Sequence, residues 1–166
     1  MSPTWQTFVS ADSHGDGRGR RHGSENGSES GESSDRHIPK SYRGDSFPGG
    51  HHYIPPGPER DRICSEALQL AGLPVTPQNM ADAKRLAQKE SGWDAHNQNN
   101  WDINARRGHP SKGLVQTIKP TFDRYHAPGH DDIWNPVDNM AAGIRYATAR
   151  YGRRGGLHYA AHVGGY

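Results

Sequence analysis

One cysteine, three phenylalanines and no long apolar run bound this 166-residue chain before any motif is read. A lone Cys64 excludes an internal disulfide; its place in an apolar run makes it a small buried side chain. No stretch approaches the roughly 18 consecutive apolar residues that a membrane-spanning helix needs. The start, Met1-Ser2-Pro3-Thr4-Trp5-Gln6, has neither the basic beginning nor the apolar core of a signal peptide. Arg20-Arg21, followed by His22 and Gly23, is no twin-arginine signal. Charge of one sign is also lacking. Twenty Lys and Arg face 18 Asp and Glu for a net of +2, and Arg150 to Arg154 is the one basic cluster, so nucleic acid is not an expected partner.

Apolar residues make up only 31% of the chain, and the mean hydropathy is -1.03. That is too little for a chain that is compact throughout, so the apolar residues must be concentrated. They lie after Pro58. From Ser10 to Arg36 the sequence is nearly all Ser, Gly, Asp, Glu, Arg and His, and burial there cannot offset the entropy of ordering. Residues 1–57 therefore read as a disordered low-complexity tail and linker, with Pro48 to Pro58 an extended lead-in, and residues 58–166 as one domain. Arg43-Gly44-Asp45 resembles an adhesion tripeptide, but three residues recur by chance and these fall in the tail.

Within the domain the pattern is mainly helical. Glu59 to Ala71 carries Ile63, Ala67 and Leu70 on one face and stops at Gly72, with Pro74 beyond. A second helix runs from about Pro77 to Ser91. A short one starts at Pro120 and includes Phe122 and Tyr125. The clearest opens with Asn135 as N-cap, Pro136 at its first position and Asp138 in its first turn, with a stripe of Val137, Ala141, Ile144, Thr148 and Tyr151, and closes at Gly152. Trp93 to Thr117 is long, polar and Asn-rich; a loop of that length in a small domain usually binds something.

In the second helix Met80, Ala83, Leu86 and Ala87 share a face at three-and-four spacing, and Glu90 lies on that same face. A carboxyl there is desolvated and sits at a helix C-terminus, where the macrodipole disfavours negative charge. Both effects raise its pKa. A carboxylic acid that stays protonated near neutral pH can donate to a leaving-group oxygen, as cleavage of a glycosidic bond requires. A lone Glu is more often solvated in a fraying last turn, so the residues that follow must decide.

They are Glu90-Ser91-Gly92; Asn97 to Asn104; Ser111-Lys112-Gly113-Leu114-Val115-Gln116-Thr117 with Pro120-Thr121-Phe122; and Asn135-Pro136-Val137-Asp138-Asn139-Met140 running into Gly143-Ile144-Arg145-Tyr146. This ordered set, spanning about residues 59–152, resembles the soluble-lytic-transglycosylase family in its actinobacterial and phage-tail branch. Gly164-Gly165-Tyr166 resembles the family's Gly-Tyr ending. Val115 stands where the family usually has Met, a tolerable apolar swap. Pro120 directly precedes Thr121 where many members leave one residue between.

The resemblance implies a lysozyme-like helical domain whose long loop forms one wall of a substrate groove. It implies a peptidoglycan lytic transglycosylase in which Glu90 is acid and then base and the product ends in 1,6-anhydromuramic acid, with no cofactor. Ser91, Gln116 and Tyr146 match family residues that contact substrate or orient the Glu, although a helix-end hydroxyl, a solvated amide and a packed ring are the plain alternatives. Trp101, Trp134 and Tyr125 are candidates to stack on sugar rings, with core packing as the alternative, and Asn100 and Asn104 are candidates to line the groove. A muramidase would need a second carboxylate, Asp94 or Asp102; a wall-binding or phage-tail structural module would need none. Eleven His residues suggest metal, but His126-x-x-x-His130 is broken by Pro128-Gly129 and His51-His52 lies in the linker, so no metal site is expected. The expected partner is peptidoglycan, the expected state a monomer and the expected place of action the cell wall, reached by a phage virion, a holin, a specialised secretion system or a longer precursor.

Overall fold

The computed structural model describes residues 46–163. The tail and the Gly164-Gly165-Tyr166 ending lie outside them, apart from the lead-in. Six helices and a two-stranded hairpin follow one another among these residues: α1 (Pro58–Leu70), α2 (Pro77–Ser91), β1 (Gln98–Asn99), α3 (Ile103–Arg106), β2 (Ser111–Lys112), α4 (Lys119–Tyr125), α5 (Pro136–Tyr151) and α6 (Gly156–His162). The mainly helical expectation holds, and no described helix is long and apolar enough to cross a membrane.

Local chemistry sets the helix ends. Thr76 accepts a hydrogen bond from the Asn79 amide, and Pro77 opens α2. Asn135 accepts from the Val137 and Asp138 amides, with Pro136 next. Pro120 likewise falls within the first turn of α4, so its early position moves the helix start without disrupting it.

Helix α5 is the axle of the domain. The sequence shows one apolar stripe, yet Val137 to Ile144, Tyr146 and Ala147 are all buried. The reason is that α1, α4 and α6 pack around it, so Asp138, Asn139 and the small Ala141, Ala142 and Gly143 are covered as well. Helix α2 packs on α1 and α6. The main core joins Ile63, Cys64, Leu68, Leu86, Trp93, Leu114, Met140 and Ile144, and a smaller one joins Phe122, Ile133 and Ala142. Cys64 is fully buried, and desolvation pushes its thiol up to about 12, so it is inert packing.

Two parts of the fold are not read from periodicity. Helix α6 follows the Gly152–Gly155 turn and is short. A Cβ at Gly156 would meet the Ala147 carbonyl oxygen at 2.6 Å, so glycine is what lets α6 lie against α5. The lead-in is extended, but it does not stop at Pro58. Tyr53 bridges Asp94, the Ile54 amide donates to the Trp93 carbonyl (2.9 Å), the Ala95 amide donates to that of His52 (2.9 Å), and Ile54 is buried. One aliphatic side chain and a short bridge suffice to bring His52 to Ile54 into the packed unit.

Candidate active site

Glu90 occupies the last turn of α2, on the face that buries Ala83, Leu86 and Ala87. Its side chain is only 4% exposed. Desolvation is the dominant effect on the carboxyl and raises its pKa from 4.5 to about 7, against the opposing charge and hydrogen bond of Lys89. Lys89 Nζ lies 3.0 Å from Glu90 Oε2 and donates to the Val163 carbonyl at 2.6 Å. The lysine thus spans from the buried acid to the end of α6. The outcome is a carboxyl divided between its acid and its base near neutrality.

The next residue fixes what stands beside it. Ser91 Oγ donates to the Leu114 carbonyl at 2.6 Å and lies 3.3 Å from that of Ala87. The partner belongs to a tight reversal in which Lys112 and Thr117 exchange backbone hydrogen bonds (2.8 and 3.0 Å) around Gly113-Leu114-Val115-Gln116. Ser111 to Ile118 is buried without a break, although the sequence reads as polar loop. One of its own side chains meets part of its hydrogen bonding. Gln116, at φ 56°, donates Nε2 to the carbonyls of Asn97 (3.0 Å) and Gly113 (2.9 Å). Trp93, two residues beyond Ser91, is also left-handed at φ 69°. Two such non-glycine residues cost about 1 kcal/mol or more each, and their surroundings must hold them there.

Much of that holding comes from Asn139, which was not singled out in the sequence. Fully buried on α5, it accepts from the Val115 amide (2.8 Å), and its Nδ2 lies within 3.0 Å of Lys112 O, Thr117 Oγ1 and Ile133 O. Gly113, at φ 84°, packs so closely that a Cβ would come within 2.4 Å of the Asn139 amide. A buried asparagine one turn past a helix N-cap was its only sequence signal.

With this arrangement in view, comparison with known families is direct: residues 78–166 match the transglycosylase SLT domain. The chain belongs to that family. A 67-residue stretch is 51% identical to the uncharacterized protein YqbO of Bacillus subtilis (strain 168), covering 40% of this chain and 4% of that protein. The chain therefore spans a small fraction of that relative's length. No solved structure matches it.

The other sequence-predicted residues of the SLT domain fall into distinct places. Tyr146 is 1% exposed on α5, its ring edge-on to Tyr125 (5.4 Å) and Tyr151 (6.1 Å). Tyr125 is half-buried at the end of α4, where its carbonyl accepts from Arg145. Trp101 is 56% exposed, and Asn100 is exposed and accepts from Gln98. Asn104, by contrast, is fully buried in α3. Trp134 packs against Phe47 and His96, with Lys112 Nζ 5.7 Å from its ring centre. Asp94 is the anchor of the lead-in. Burial works to raise its pKa, but hydrogen bonds from the His52 amide, His51 and the His96 amide prevail and hold it below the usual range. Asp102 caps α3 by accepting from the Ala105 amide at 2.9 Å. Sequence reading also missed His158-x-x-x-His162, because nothing in the pattern marked α6 as a helix.

Proposed function

We propose that this SLT domain cleaves the bond between N-acetylmuramic acid and N-acetylglucosamine in peptidoglycan strands, with Glu90 as the single acid and base. The observation that carries the reading is the buried Glu90 carboxyl, raised to about 7, in a domain of this family.

A glycosidic oxygen is a poor leaving group unless protonated as its bond to the anomeric carbon breaks. Protonated Glu90 supplies that proton, and the substrate's own 2-acetamido group stabilises the cationic centre. Glu90, now a carboxylate, takes the proton of the muramic acid 6-hydroxyl as O6 closes on the anomeric carbon. The product is a 1,6-anhydro ring, and Glu90 ends protonated as it began. A pKa near 7 suits both halves, because each form is accessible at neutral pH. Lys89 steadies the carboxylate that appears between them.

The disposition of the nearby acids supports the one-carboxylate route. Asp94 has both oxygens engaged with the lead-in, and Asp102 is committed to a helix cap, so neither is placed as a water-activating base. Ser91 ties the reversal to the residue after Glu90, and Gln116 braces that reversal against Asn97. The Gln116 Oε1 is the part of that amide left to accept from a sugar hydroxyl or acetamide N–H, since Nε2 is spent on two carbonyls. Trp101 offers an exposed indole face to a glycan. The site of action is the cell wall.

Mass spectrometry of muropeptides released from purified sacculi tests this. Anhydromuramic ends from the native chain and none from Glu90→Gln are expected. Reducing ends would make the enzyme a muramidase, and no release by either would leave a binding module.

A further inference from the structure

We propose that Asp82, His158 and His162 form a binding site for a divalent transition-metal ion that joins α2 to α6. One ligating atom from each lies within 4.8 Å of the other two, close enough for all three to share an ion. Asp82 lies about two turns before Glu90 on α2, and the three residues take no part in the proposed Glu90 chemistry.

The two histidines are four residues apart on α6, so they project from one side of that helix, and their rings lie 4.2 Å apart at 35°. His-x-x-x-His on a helix presents two nitrogens to one ion. His158 Nδ1 faces both oxygens of Asp82, at 3.1 Å each. Separations of about 3 Å between donor atoms are also those of two ligands on one ion, given metal–ligand bonds of about 2 Å. His162 Nδ1 meets the His158 carbonyl at 2.8 Å, and a carbonyl can only accept. The proton must therefore be on Nδ1, leaving Nε2 with a lone pair, the tautomer that a metal requires.

Asp82 is the second independent observation. It is a carboxylate only 3% exposed at the interface of two helices, whereas both histidines are exposed. Gln78, one turn earlier on α2, donates to Asp82 Oδ2 at 3.1 Å and orients it. A buried anion under two solvent-facing imidazoles is a partly desolvated N,N,O set with its open side to water. That set suits Zn(II), Co(II) or Ni(II) and is poorly matched to Ca(II) or Mg(II), which take oxygen ligands. Three protein ligands leave a coordination position for solvent. An ion here would staple α6, which has only two turns, to the middle of α2.

The test uses the untagged full chain. Titration with Co(II), followed by visible absorption and calorimetry, is expected to show one tight site per chain, and Zn(II) is expected to displace the cobalt and raise the melting temperature. His162→Ala, at an exposed position, should weaken binding about tenfold or more and remove the thermal shift while leaving the circular dichroism spectrum unchanged. Asp82→Asn should likewise weaken cobalt binding, and Glu90→Gln should leave the cobalt affinity unchanged. Equal affinity in the native chain and a His158→Ala/His162→Ala variant would assign the metal to other histidines and overturn the proposal. So would absence of any stoichiometric binding.

Discussion

At the scale of the residue, Glu90 decides how the domain responds to pH. Its pKa is 4.5 ordinarily and about 7 in the fold, so between those values the folded chain holds a proton that the unfolded chain has released. The stability this contributes is complete below about pH 4.5 and is lost as pH rises through 7. Glu90→Gln carries no ionisable group there. Its melting temperature relative to the native chain should therefore rise with pH, by the equivalent of up to about 3 kcal/mol at pH 8, the two chains converging below pH 5. The same titration should appear as the alkaline limb of kcat/KM, with activity falling above pH 7 because the first step needs the acid form. A limb unaffected by Glu90 substitution, or parallel melting curves, would remove Glu90 from both roles. The burial of the Glu90 carboxyl was legible because it depends on one helix and its period. Asn104 was not, since nothing in an Asn-rich run distinguishes the buried asparagine from the exposed Asn100.

At the scale of the element, the reversal from Lys112 to Thr117 is held by a side chain on α5. Asn139→Ala would leave the Val115 amide and the carbonyls of Lys112 and Ile133 without that partner in a buried setting. Losing it should cost about 3 kcal/mol or more in urea unfolding. Hydrogen exchange should rise first at Val115, before the helices open. An exchange pattern that changed uniformly would mean that Asn139 acts on the core and not on the loop. Helices α1, α2, α4 and α5 were readable from apolar spacing, the Asn135 cap, N-terminal prolines and C-terminal glycines. The burial of 111–118 was not, because it rests on a partner some 25 residues away, and α6 lacked both the length and the cap by which a helix announces itself.

At the scale of the whole molecule, the domain extends upstream of its first helix. Ile54 buries an aliphatic side chain, and His51 and His52 bond Asp94. A chain beginning at Pro58 should therefore be less stable than one beginning at Ser46 by about 2 kcal/mol or more. The Asp94 part has a definite sign: with its folded pKa below the ordinary value, the stabilisation is present at neutral pH and fades as pH falls through that lowered value. The gap between the two chains should narrow on acidification, and equal unfolding midpoints at neutral pH would show the lead-in to be ornamental. Composition alone placed the boundary at Pro58 because His51 to Gly57 offers one aliphatic residue and one tyrosine among histidines, prolines and glycine. Finally, the ammonium of Lys89 has two claimants, the Glu90 carboxylate and the Val163 carbonyl. One positive charge is thereby divided between the buried carboxyl and the end of α6, so a change that frees Lys89 from Val163 is expected to shift the pH at which Glu90 titrates.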